Sequence, residues 1–536
     1  MDHSALRTVI GSLFLGLATT AGAAQTPAAP TPQAVAPRGA QAGTQDPAAG
    51  KQQEPPLPVP VDVEAERDGA PVRELTLAEA LRIGRVHNVG LQAAKLLPEQ
   101  ARMDVLLAEA GFVPELYGNG GYAERQAPQR NFFSPSNTSQ TLDATLGWRQ
   151  RVVTGGLFDL AYQPTRFESS GATGFLPPQQ FTSTWTASYR QPLLRSAWSD
   201  YNLAPINQAR YRLSQADADY DRTVQDTLLQ IVQAYWELVF ARENWRVVRQ
   251  ALAVAEEQLR ITNERIRVQA LAPVDRVADE AEVARRREDL ITAENQIRTR
   301  EDDLRRLLYD GSRGDLWRVN LRPASPIEVE PQVDDLAFEP IVEVAMKHRP
   351  DVRSLRSSIA AAEVALLQAR RDTLPSLDLI GSYASNGVRD EFSQAFGDSF
   401  DQQFPDWSVR LEFAIPFGNQ AARSREQRAE FEVERQRRLL HAQTLDVARQ
   451  VREAVRSLQT LAQSIRATRV SVQLAETNLR TEQERLRAQV STAFEVQRRN
   501  QELAAAKSRL LRNQLDYQTA QSRLLHVQGL LQAGAE

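Results

Sequence analysis

The sequence predicts a mixed α and β fold, mainly α, in which long coiled-coil helices join barrel-type strands and the whole plan occurs twice. Three observations carry this expectation. Two stretches of about 70 residues space their apolar side chains in heptads, strands of about ten residues carry one apolar and one polar face, and the second half of the chain can be laid over the first. A length of 536 residues accommodates such a repetitive assembly.

Composition excludes several functions. Hydrophobic residues make up 42% and charged residues 25%, enough to bury a core. The 64 basic and 68 acidic residues nearly cancel, to −4, which removes the electrostatic case for a nucleic-acid partner. With no cysteine there is no disulfide, thiolate nucleophile or Cys-ligated metal. The five histidines, His3, His87, His348, His441 and His526, are far apart and form no H-E-x-x-H pair. No catalytic, cofactor-binding or metal set is expected, and the chain reads as a non-enzyme.

The N-terminus reads as a secretory signal peptide over residues 1–23. Arg7 precedes an apolar run from Val9 to Ala18, and Ala21-Gly22-Ala23 supplies a small-x-small cleavage signal. The run is about half the roughly 20 residues a membrane-spanning helix needs. Residues 24–72 follow as a flexible linker, because their Pro, Ala, Gln and Gly composition cannot build a core.

Two repeats are then expected, 73–312 and 313–536. One ungapped offset pairs Leu75 with Leu336, His87 with His348, Ala108 with Ala369, Pro114 with Pro375, Gly120 with Gly381 and Tyr122 with Tyr383. With gaps, Gln191-Pro192-Leu193 falls on Ile415-Pro416-Phe417 and Glu264-Arg265-Ile266-Arg267 on Glu484-Arg485-Leu486-Arg487. Each repeat reads helix, strands, long helix, tip, helix, with an equatorial segment opening the second.

The long helix of the first repeat is predicted from Tyr201 to Ala270, with Pro205 near its start. Val224, Leu228, Ile231, Tyr235 and Leu238, then Trp245, Val248, Leu252, Ala255, Leu259, Thr262 and Ile266, step by three and four. Val451, Val455, Leu458, Ala462, Ile465, Val472, Ala475, Leu479 and Leu486 repeat the seam, which favours left-handed packing. Such a rod is roughly 100 Å long and needs partners of equal length. Helices 75–111 and 274–309, stacked end to end, supply it in the first repeat, and 338–372 with 495–531 in the second. Asn88 and Arg349-Pro350-Asp351 break the first helix of each repeat, Asn88 as a cap and Pro350 as a first helical residue. Pro98 adds a kink in the first repeat only.

The strands alternate with period two. Phe181, Ser183, Trp185, Ala187 and Tyr189 share one face of Phe181–Arg190, and Thr182, Thr184, Thr186, Ser188 and Arg190 the other. In Trp407–Phe417, Trp407, Val409, Leu411, Phe413, Ile415 and Phe417 oppose Ser408, Arg410 and Glu412. Apolar-out, polar-in strands suit a membrane barrel with a wet lumen, and a soluble sandwich would alternate in the same way. The first repeat carries four such segments, 113–126, 140–152, 156–167 and 181–191. Thr154-Gly155-Gly156 makes a short turn between the middle two, and 127–139 and 168–180 are long loops. Arg149, Arg190, Arg410 and Glu412 fall on the polar faces.

Over residues 75–531 the chain resembles the TolC-like outer-membrane efflux protein family. The resemblance rests on the duplicated helix, strand and hairpin plan, on Pro114-Glu115-Leu116 and Pro375-Ser376-Leu377 entering the strands, on Gln191-Pro192-Leu193-Leu194-Arg195 leaving them, and on the hairpin tips. It implies a trimeric outer-membrane β-barrel joined to a long periplasmic α-helical barrel, built from two internal repeats, in a Gram-negative cell. The implied function is the exit duct of a tripartite efflux pump or type I secretion system, passing drugs, small molecules or proteins outward. Implied partners are two further copies of the chain, a periplasmic adaptor, an inner-membrane transporter and outer-membrane lipid.

The resemblance also implies site residues. Arg265, Gln269 and Asp275, and in the second tip Arg485, Gln489 and Glu495, occupy the adaptor-docking positions, with the two glutamines standing where the family has glycine. Glu495 matches a carboxylate of the periplasmic gate and Arg498 stands at the next gate position, while Arg149, Arg190, Arg410 and Glu412 would line the barrel lumen. Six strands per protomer, eighteen in a trimer, are expected in place of the family's four and twelve. A periplasmic coiled-coil scaffold shares the signal peptide and heptads, and a secreted β-rich hydrolase shares the strands; both stay open at this point.

Overall fold

A computed structural model describes residues 72–127, 137–169, 179–269, 271–309, 319–327, 330–331, 337–402, 404–488 and 490–532. The expected signal peptide, nearly all of the linker, much of the segment between the repeats and Gln489 lie outside these residues.

The described elements are β1 (Val72–Leu75), α1 (Leu77–His87), α2 (Val89–Ala110), β2 (Glu115–Ala127), β3 (Asn137–Arg151), β4 (Leu157–Ser169), β5 (Gln179–Pro192), α3 (Ser199–Asn202), α4 (Ala204–Arg267) and α5 (Val274–Leu308). They continue with β6 (Asn320–Pro323), α6 (Phe338–His348), α7 (Pro350–Asp372), β7 (Ser376–Arg389), α8 (Phe392–Phe400), β8 (Phe404–Ala414), α9 (Gln420–Arg487) and α10 (Ala493–Val527). The same order recurs in each half: a broken helix, strands, a rod of 64 or 68 residues, and a return helix of 35.

The breaks form where the residues demand them. Asn88 ends α1 and caps α2, its side-chain oxygen accepting the Leu91 amide at 3.0 Å. Its amide nitrogen donates to the Leu307 carbonyl at 2.8 Å, tying the break to the end of α5. Pro350 opens α7, where the missing N–H costs nothing. Pro98 lies inside an unbroken α2.

The heptad seam is the core. Leu228, Ile231, Tyr235, Leu238, Trp245, Leu252 and Thr262 are buried along α4. All but Thr262 pack with Val283, Leu290, Ile297, Leu304 and Leu308 of α5, and Thr262 donates to Asp279 of the same helix at 2.6 Å. In the second half Val451, Val455, Leu458, Ala462 and Ile465 of α9 are buried, against α6 and α10. The sequence seam did not mark β1 and β6, which pair in parallel beside this core. Tyr235 holds them: its hydroxyl bonds the Leu75 carbonyl (3.0 Å) and Ser325 Oγ (2.8 Å), and accepts the Ser325 amide at 3.1 Å.

All six long strands join one antiparallel sheet in the order β2-β3-β4-β5-β7-β8. The additional hairpin of the first half thus lies in the same sheet as the rest. Several sequence boundaries move: the first helix, expected from 75, begins at Leu77 because Leu75 ends β1, and β2 to β5 start and end about one to three residues from the expected positions. The strand expected over Trp407–Phe417 runs from Phe404 to Ala414, because its partner β7 begins at Ser376 opposite Ala414 and leaves Ile415-Pro416-Phe417 unpaired. The rod expected from Tyr201 begins at Ala204, since Leu203 intervenes and Pro205 occupies its first turn.

No described helix is long and apolar enough to cross a membrane.

Candidate functional site

The strand register places the candidate lumen residues together. Glu115 pairs with Arg149, Arg149 with Asp159, and Asp159 with Ser188. Arg190 pairs with Ile380, and Ile380 with Arg410. Because side chains alternate in pleated strands, all of these charged groups share one face. They sit at the end of the sheet where strands meet helices, since β2 and β7 leave α2 and α7 there and β5 and β8 feed the rods.

The group is a belt of paired charges. Arg149 Nε lies 3.2 Å from Asp159, its guanidinium 4.0 Å from Glu115 and 4.6 Å above the Tyr117 ring. Tyr117 donates to both Asp159 oxygens at 2.9 and 3.1 Å. This ring reaches over Gly147, where a Cβ would collide with it and push the ring out of its place. Glu412 bridges Arg190 and Arg410, each at 3.6 Å. Further along the same face Ser382 meets Ser408 at 2.8 Å and Thr184 donates to Asn386 at 3.0 Å. These pairs are half exposed, so each is worth only about 0–1 kcal/mol; their effect is to set a wet, charge-balanced surface. Sequence reading found the arginines and Glu412 and missed Asp159, Glu115 and Tyr117. The alternation within 156–167 could have placed Asp159, but its partners depend on register.

The opposite face is apolar except at its end farthest from the helices, where Glu124, Arg166, Glu168 and Arg389 lie. Leu116, Leu146, Trp407, Val409, Leu411 and Phe413 are all more than 60% exposed on it, a density that water does not favour.

At the other end of the rods lie the two tips. Arg265 is exposed in the last turn of α4. Gln269 follows with φ of 61°, the left-handed conformation that ends many helices and that glycine adopts without steric cost. The conformation expected of a glycine is therefore kept by a glutamine. Asp275 lies in the first turn of α5, and its side chain is outside the described set. In the second tip Arg485 pairs at 3.5 Å with Glu482, a buried carboxylate that also accepts the Ser491 hydroxyl. Glu495 and Arg498 meet at 2.9 Å, as an i,i+3 pair on the surface of α10. Thr492 caps that helix, accepting the Glu495 amide at 3.4 Å, which starts it two residues before the expected 495.

The hairpins also touch one another. Glu282 of α5 accepts from Gln501 of α10 at 3.2 Å and pairs with Arg286 at 2.8 Å. Near the middle, His526 of α10 meets Asp226 of α4 at 2.8 Å, and this bond holds the Asp226 carboxyl below its ordinary range against the opposing effect of burial.

Residues 341–530 match the family model for outer membrane efflux proteins. The chain is 27% identical over 217 residues to the alkaline protease secretion protein AprF of Pseudomonas aeruginosa, across 40% of this chain and 42% of AprF. It is 25% identical over 223 residues to outer membrane protein TolC of Vibrio cholerae, across 41% of this chain and 48% of TolC. These matches span less than half the length of either curated relative. The outer membrane channel CmeC of Campylobacter jejuni superposes with a TM-score of 0.63 over 86% of this chain and 87% of CmeC, at 14% identity, a likeness of fold alone. The resemblance to the TolC-like outer-membrane efflux protein family is thereby borne out.

Proposed function

We propose that this chain, similar to TolC-like outer-membrane efflux proteins in sequence and fold, is the outer-membrane exit duct of a tripartite efflux pump or type I secretion machine. The observation that carries the reading is a single sheet of six strands, largely apolar on one face and charged on the other, whose outer strands β2 and β8 have no further partner among the described residues. An open edge in lipid leaves a row of unsatisfied backbone groups, so the sheet must close. Because β2 runs away from the helices and β8 returns to them, the β2 edge of one copy meets the β8 edge of the next antiparallel. Three copies give an eighteen-stranded barrel with the charged belt inside, continued by rods of roughly 100 Å into the periplasm.

In this reading Arg149, Arg190, Arg410 and Glu412, with Asp159 and Glu115, line the lumen at the junction of barrel and helices. The tips around Arg265, Gln269, Asp275, Arg485, Gln489 and Glu495 face a periplasmic adaptor, which connects to an inner-membrane transporter. Glu495 and Arg498 line the entrance. The duct itself performs no chemistry and moves drugs, small molecules or proteins passively; the likeness to AprF, an alkaline protease secretion protein, favours keeping proteins among the cargo.

Planar-bilayer recording of the purified protein tests this. Discrete conductance steps are expected, and Glu495→Ala or Arg498→Ala should lengthen the open time if the pair helps hold the entrance shut. Absence of any membrane conductance from folded protein would contradict the duct.

A further inference from the structure

The connection between β7 and β8 is a helix, α8, folded back onto the apolar face of the sheet, and the contact is built with care for detail. A Cβ at Gly387 would run into the Ala395 carbonyl and come within 2.7 Å of the Ser399 nitrogen, so glycine is what lets the helix backbone seat there. Ser183, fully buried, bonds Ser399 Oγ at 3.0 Å and Tyr162 at 3.1 Å, and Ser385 donates to the Ser399 carbonyl at 2.7 Å. Phe392, Phe396 and Phe400, one above another on the helix, meet Phe181, Tyr162 and Trp185 at centroid distances of 6.1, 5.7 and 5.6 Å. Asp398 pairs with Arg389.

The position matters more than the packing. Phe181 to Trp185 and Ser385 to Arg389 are the strand ends farthest from the rods, whereas Leu379, Leu411 and Phe413, on the same face near the rods, stay uncovered. The helix thus shields two serine hydroxyls at the outer rim of the apolar band, where Arg166 and Arg389 begin a polar margin on the same face. It turns outward Glu391, Ser393 and Gln394 together with the half-exposed rings of Phe392 and Phe400. A helix with aromatic edges and a polar back is suited to the boundary between acyl chains and headgroups.

We infer that α8 is an interfacial helix outside the barrel, seated in the headgroup zone of the outer leaflet, where it closes a polar notch in the lipid-facing band and fixes the depth of the barrel. This rests on the exit-duct reading, which makes the apolar face the lipid face and the far rim the outer one.

The cysteine-free chain allows clean site-directed spin labelling. Labels at Gln394→Cys on α8, Val409→Cys on the uncovered apolar face and Asp406→Cys on the polar face are compared in lipid vesicles by collision with oxygen and with a water-soluble nickel chelate. The expected result is a lipid signature at 409, a water signature at 406 and an intermediate, headgroup-depth ratio at 394. Adding Gly387→Leu should unseat the helix and raise nickel collisions at 394 several-fold. If 394 is as nickel-accessible as 406 while 409 lies in lipid, α8 does not lie in the membrane and the inference falls while the barrel stands. If 409 is also nickel-accessible, the barrel reading itself falls. A 394 label that ignores Gly387→Leu would overturn the docking account.

Discussion

Tyr235 shows how one side chain in a heptad seam does more than fill a core. Its ring lies in the seam that the sequence displays, yet its hydroxyl fastens β1 and β6 to the rod through Leu75 and Ser325. Tyr235→Phe removes those bonds and leaves a buried carbonyl short of a donor. It should therefore lower stability by about 1–3 kcal/mol, read as a reduced midpoint in denaturant. Gln269→Gly has the opposite sign. It relieves a left-handed glutamine and should stabilise the first tip by about 1 kcal/mol, seen as slower amide exchange in the last turn of α4. The residue type and order at both tips were legible in the sequence. The conformation of Gln269 was not, because nothing in a sequence compels a glutamine to adopt positive φ.

At the scale of elements, the rods and the six strands were legible because their periods, three-and-four and two, persist over many residues. Element ends were less so. Phe417 looked like part of a strand from its alternation, but the length of β7 decides where β8 stops. Helix α8 escaped notice because it is short and sits where a loop between hairpin strands is the ordinary expectation. The spacing of Phe392, Phe396 and Phe400 was the available signal. Among the hairpin helices, Glu294 of α5 carries a prediction about pH: burial pushes its carboxyl above the ordinary value, only partly opposed by Trp245 and then Arg298. A raised folded value means the unfolded chain ionises first, so Glu294 lowers stability increasingly as pH rises above its ordinary value of 4.5. Glu294→Gln should then melt higher than the parent at pH 7 and level with it at pH 4. Equal differences at both pH values would contradict this.

At the scale of the whole molecule, the partition of the sheet into two faces is the feature on which everything else depends. A charge placed on the apolar face, as in Val409→Arg, should destabilise membrane assembly by about 2–4 kcal/mol if that face meets the bilayer midplane, and should reduce the heat-resistant oligomer on semi-native gels. Arg190→Ala, on the polar face at the same end of the sheet, should leave assembly unchanged and alter ion preference instead. The sequence displayed the two-faced strands and the fold the two outer strands, but one chain cannot display its own copies. The number of strands in a closed barrel is a property of the assembly.

That number is what imaging of the detergent-extracted protein measures. The exit duct predicts threefold rods well over roughly 100 Å long, with eighteen strands closing at one end and the charged belt of Arg149, Asp159, Arg190 and Glu412 facing the lumen. Compact or asymmetric particles, with the apolar face of β8 buried against helices of the same chain, would contradict it.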